Sequence, residues 1–161
     1  MSYLVPISLL ALLAIAAGTD LHRRQVPNWL VAAVALLWLT QLPQLAGAAV
    51  ATSLVAATGL LILGAFCWRR GWIGAGDAKL LAAVGLWAAD HLIELLLATA
   101  LAGGALALGQ MLKARLARAG GSTPARHDAA AARAGSVPYA VAIAVGGCWL
   151  VLGHGLAAGV S

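Results

Sequence analysis

Five carboxylates occur in the 161 residues: Asp20, Asp77, Asp90, Glu94 and Asp128. The chain around them is 63% hydrophobic and only 9% charged. Ionisable groups near hydrocarbon are costly, so each such placement is a functional hypothesis by default. Asp20 ends one apolar block and Asp77 opens another. Two carboxylates brought to one partly dehydrated site cannot both ionise cheaply, and one pKa is pushed upward to leave an acid beside a base. Such a pair activates water against a peptide carbonyl and protonates the tetrahedral intermediate. It needs no metal and no nucleophilic side chain.

Each aspartate also has a purely structural reading. Asp77 follows a glycine-rich turn and could cap the helix behind it by accepting backbone N–H bonds. Asp20 sits at a helix C-terminus, the wrong end of the macrodipole for an anion, and could pair with Arg24, four residues on. Asp90, His91 and Glu94 have helical spacing but fall on the opposite side of the chain's topology, where an interfacial helix start is the expectation. His22, His127 and His154 read as solvated surface residues. Cys67 and Cys148 form no Cys-x-x-Cys or Cys/His cluster. No zinc site, no disulfide and no cofactor are therefore expected.

The elements that must position the two aspartates are hydrophobic. A soluble domain carries roughly a quarter charged residues; this one is far poorer in charge, with a mean hydropathy of +0.95. Six apolar segments stand out, at about 3–19, 29–45, 47–67, 78–90, 92–112 and 137–158. About 20 residues at 1.5 Å rise cross a hydrocarbon core of roughly 30 Å. The expected fold is all-α, a polytopic bundle of six transmembrane helices in a single domain over residues 1–161, with 113–136 as a basic cytoplasmic linker. The first block has no basic residue before it, which favours a retained helix over a secretory signal. Six of the nine aromatics are Trp, a residue that anchors helices at headgroup level. Gly103-Gly104 and Gly146-Gly147 permit close helix approach.

Charge sets the orientation. Arg23, Arg24, Arg69, Arg70, Lys79, Lys113, Arg115, Arg118, Arg126 and Arg133 all fall in loops one, three and five of a six-span arrangement. The connections near 43–47 and 90–92 contain no Lys or Arg. The positive-inside rule makes the basic side cytoplasmic and both termini external. The net charge of +5 is thus a topology signal, and no nucleic-acid partner is expected. The 113–136 segment is expected to touch anionic headgroups of the bilayer or to dock a protein partner.

The residues around the aspartates carry a resemblance. Asp20 is followed seven positions later by Pro27-Asn28, and Gly74-Ala-Gly-Asp77-Ala-Lys79-Leu80 comes after it in order. These closely resemble the two signatures of the prepilin peptidases, a family of GxGD membrane aspartic proteases. Val137-Pro138-Tyr139 also resembles a family feature at the start of the last helix. The resemblance implies that Asp20 and Asp77 are catalytic. It further implies that Gly74 and Gly76 let the loop approach a substrate backbone, and that Pro27, Asn28 and Lys79 shape the site. It implies a prepilin or pseudopilin substrate with a short leader ending in Gly, pilus assembly machinery as the protein partner that the 113–136 segment could dock, and the bacterial inner membrane as the location. The Cys-rich segment linked to methyl transfer in larger members has no counterpart in this sequence, so the chain resembles the short, tight-adherence (Flp-type) form. The rivals are a preflagellin-type GxGD protease, a small transporter using the aspartates as a proton relay, and a non-catalytic assembly subunit.

Overall fold

A computed structural model describes residues 4–23, 25–119 and 139–154. The described residues form six α-helices and no strand: α1 (Leu4–Arg23), α2 (Asn28–Leu39), α3 (Gly47–Arg69), α4 (Ala75–Gly85), α5 (Leu92–Ala119) and α6 (Tyr139–His154). Single 3-10 turns at Leu42–Gln44 and Ala89–His91 lead into α3 and α5.

Three of these helices are long and apolar enough to cross a membrane. In the windows that qualify α1, α3 and α5, only 22%, 22% and 11% of residues are buried inside the protein. Most of each span therefore faces outward, and Val55, Ile62, Ile93 and Leu101 are among its large exposed apolar side chains. In a bilayer that surface is solvated by lipid tails.

Helix α4 is different. Its 11 residues span only about 16 Å, too little for a bilayer, yet Ala78, Leu80, Ala82, Ala83, Val84 and Gly85 are all buried. It packs against α2, α3 and α6 at once. Small side chains make that possible: a Cβ placed on Gly64 of α3 would lie 2.8 Å from the Ala78 Cβ. Leu9, Leu13, Leu30, Val34, Leu80, Val84, Leu95 and Leu150 close the core around it. The Trp87 indole N–H donates to the Val34 carbonyl oxygen at 3.3 Å and pins the end of α4 to α2.

Several boundaries differ from the hydropathy reading. Helix α2 ends at Leu39 and not near 45, because the Pro43 ring would clash with the Leu39 carbonyl. Helix α1 continues through Asp20 to Arg23, so Asp20 lies inside the last turn. Helix α5 runs on to Ala119 and takes Lys113, Arg115 and Arg118 into the helix. Ala, Leu, Arg and Lys are strong helix formers, and the charge of that stretch does not oppose them. The rest of the expected linker, from residue 120, lies outside the described residues. Trp38 and Trp87 are buried core residues, while Trp29, Trp68, Trp72 and Trp149 are exposed.

Candidate active site

The glycine-rich turn folds as a helix start. Gly74 is the N-cap of α4, with extended backbone at φ −72° and ψ 148° and no capping side chain of its own. Its carbonyl accepts the first helical bond from the Ala78 N–H at 3.1 Å. Asp77, at the third helical position, accepts a hydrogen bond from the Gly74 backbone. That is half of a capping box, so Asp77 does contribute to starting α4.

Its surroundings go beyond capping. Burial pushes the Asp77 carboxyl up from the ordinary 3.8 to about 6, the negative charge of Asp20 pushes the same way, and the Gly74 hydrogen bond opposes both. A cap on a solvated helix end would be stabilised as an anion; here desolvation and a second carboxylate outweigh the cap.

Asp20 is 5% exposed. Its Oδ2 accepts a hydrogen bond from the Ala140 N–H at 3.1 Å, near the start of α6. The amino end of one helix thus faces an anion at the carboxyl end of another, and offsets the unfavourable dipole of α1. Helix α6 packs against both α1 and α4, which brings two residues distant in sequence into electrostatic reach.

Both glycines sit close against neighbouring atoms. A Cβ on Gly74 would sit 2.8 Å from Asp77 Oδ2, and a Cβ on Gly76 would sit 3.1 Å from both the Cβ and the carbonyl oxygen of Val26. Gln25, Val26, Gly74, Ala75, Gly76 and Asp77 line an open cleft of about 290 Å³. Pro27, at φ −69°, caps α2, and its carbonyl accepts the Leu30 N–H at 3.1 Å. The Lys79 ammonium donates to Asn28 Oδ1 at 3.2 Å and ties the two sequence motifs together.

The structure therefore brings Asp20, Asp77, Gly74 and Gly76 to one place, with Pro27, Asn28 and Lys79 beside it. The His91 ring and Glu94 contact each other at 3.3 Å beyond the far end of α4, and no group of metal-ligating residues occurs among the described ones. His22 is exposed. Arg24, the partner of Asp20 in the purely structural reading, and Pro138 lie outside the described residues. Sequence reasoning missed the Ala140 N–H and the backbone of Val26. Backbone groups carry no side-chain signature; the only available hint was the helix start after Pro138.

The sequence model of the type IV leader peptidase family matches residues 7–108. No curated protein and no solved structure gives a match. The matched stretch runs from α1 well into α5 and contains both aspartates, the glycine turn and the Asn28–Lys79 pair. On that match, more than half of its 161 residues, the chain belongs to the type IV leader peptidase family, and it is a protease built of membrane-type helices.

Proposed function

We propose that this protease is an aspartic endopeptidase that removes the short leader of a prepilin or pseudopilin at the cytoplasmic face of the bacterial inner membrane. The observation that carries the reading is the convergence of two carboxylates, Asp20 and Asp77, whose environments differ. Asp20, whose Oδ2 accepts the Ala140 N–H at the amino end of α6, is assigned the role of the base that takes a proton from water. Asp77, with its pKa near 6, is the partner suited to hold a proton. The water oxygen attacks the scissile carbonyl carbon while Asp77 hydrogen-bonds the carbonyl oxygen. Collapse of the tetrahedral intermediate breaks the C–N bond, and the proton gained by Asp20 passes to the leaving amine. The Gly74–Gly76 side of the cleft lets an extended substrate backbone approach without side-chain obstruction.

The test is leader removal by mobility shift with Asp20→Asn, Asp77→Asn and the double variant, alongside membrane abundance. Asn keeps the size but cannot act as a carboxylate acid or base. Each single variant should abolish cleavage, and the double should be no worse, because residues acting as a unit are non-additive. Since Asn serves nearly as well as Asp in helix capping, appreciable cleavage by a stably inserted Asp77→Asn protein would defeat the assignment.

A further inference from the structure

The carboxyl end of α3 carries a built cluster that the proteolytic reading does not use. Gly71 adopts φ 72°, a left-handed conformation. Its N–H donates to the Trp68 carbonyl at 2.8 Å, and the Trp72 N–H donates to the Cys67 carbonyl at 3.0 Å. This pair of bonds is the Schellman helix stop, and it folds Trp72 back over the last turns of α3. The Phe66 and Trp72 rings meet edge-on, with centroids 6.5 Å apart. The Arg70 guanidinium lies 4.7 Å from the Phe66 centroid and 5.9 Å from that of Trp72. Its described contacts are rings, not carboxylates.

All three side chains remain exposed, with Phe66 at 49% and Trp72 at 60%. Trp68 and Arg69 beside them are exposed too. The 23 residues of α3 extend about 34 Å, so a span that fills a core of roughly 30 Å puts its last turn at headgroup depth. A guanidinium whose faces rest on aromatic rings keeps its N–H edge free, and that edge matches a phosphate bidentately. The rings suit the same depth, where amphipathic aromatics concentrate.

We propose that Phe66, Arg70 and Trp72 form a binding site for the headgroup phosphate of an anionic phospholipid, and that this contact fixes the depth of the loop leading to Gly74. The occupant is lipid because the cluster is continuous with the outward apolar face of α3 and carries an arginine and no acid. The site lies five residues before Asp77, so it acts on the loop's position and not on the chemistry.

Hydrogen exchange of residues 71–76, followed by mass spectrometry on the full chain, tests this without reference to proteolysis. The protein is compared in phosphatidylcholine nanodiscs with and without phosphatidylglycerol. Phosphatidylglycerol should slow exchange about fivefold, as expected for one cation held at an anionic surface. Arg70→Gln should lose that slowing, Arg70→Lys should recover only part of it, and Arg69→Gln should keep it. Equal losses in Arg69→Gln and Arg70→Gln would mean diffuse charge attraction and overturn the proposal. No response to phosphatidylglycerol in the wild type would overturn it as well. Inorganic phosphate added to phosphatidylcholine nanodiscs should not slow exchange; if it did, the site would be one for free anions.

Discussion

Gly74→Ala separates the position of the Asp77 carboxylate from the stability of the fold. The new Cβ would lie 2.8 Å from Asp77 Oδ2, whereas ordinary contact begins near 3.4 Å, so the oxygen must retreat by at least about 0.6 Å. The obstructing atom is the end of a side chain, and rotation relieves the clash without moving the backbone. The extended backbone at φ −72° accepts Ala without strain. Ala is a poorer N-cap than Gly, but it also narrows the unfolded ensemble, and these effects oppose each other to leave stability within about 1 kcal/mol. A misplacement approaching 1 Å costs up to roughly 100-fold in rate, so the cleavage rate should fall on the order of 10- to 100-fold. Gly76→Ala provides the contrast. Its Cβ meets the Cβ and backbone of Val26 at 3.1 Å, and Val26 is buried just before the rigid Pro27. Overpacking against a backbone that cannot rotate away costs about 1–3 kcal/mol, so this variant should lose thermal stability along with activity. The assay is single-turnover leader removal in detergent, paired with thermal unfolding of the same samples. Wild-type cleavage by Gly74→Ala would refute the placement of Asp77 in the reaction, and equal destabilisation by both variants would refute the steric argument.

Three further outcomes follow from the same geometry. Asp77 holds its proton more tightly in the folded protein than in the unfolded chain, so its contribution to stability falls as pH rises from 3.8 to about 6 and is constant above. Asp77→Asn should flatten that dependence in unfolding titrations, and wild-type cleavage should decline as pH rises through about 6; a steeper unfolding profile in the variant would contradict the assigned sign. Lys79→Met and Asn28→Ala each break the same exposed 3.2 Å hydrogen bond, so each should cost less than about 1 kcal/mol of stability while slowing cleavage, with the double variant no worse. Additive losses would mean that the two side chains act separately. From the one-sided basic residues, Ala75→Cys should label only from the cytoplasmic side and Leu45→Cys only from outside, as read by impermeant thiol labelling of oriented vesicles; external labelling at position 75 would reverse the topology.

The features legible in sequence were those written in side chains. Asp20 and Asp77 were found because carboxylates are scarce in an apolar chain, and the glycines because a turn at that place has few substitutes. The six helices of the described residues followed from hydropathy, since lipid-facing spans such as α3 must be apolar almost throughout. Hydropathy misplaced the ends, however, because helices stop for local reasons. Pro43 halted α2 inside an apolar run, while Lys113–Arg118 continued α5 through a charged one. Gly146 and Gly147 were rightly read as packing glycines, the first against Leu95 and Thr99 and the second against Leu13, but Gly104 faces open space. A glycine pair marks a possible contact and not the partner that fills it.

What stayed hidden was the helix that joins the aspartates. Two properties of α6 matter, its N–H at Ala140 and its packing on both α1 and α4, and neither has a residue type attached. The same holds for α4, whose importance comes from a lack of bulk. With Ala78, Ala82, Ala83 and Gly85 buried, it can sit among three neighbours and present only its first turn to the cleft. A longer or bulkier helix would push α3 and α2 apart and carry Gly76 away from Val26. The short, small-residue helix that hydropathy marks most weakly therefore holds Asp77 opposite Asp20, with the closest backbone contacts in the site resting on glycine.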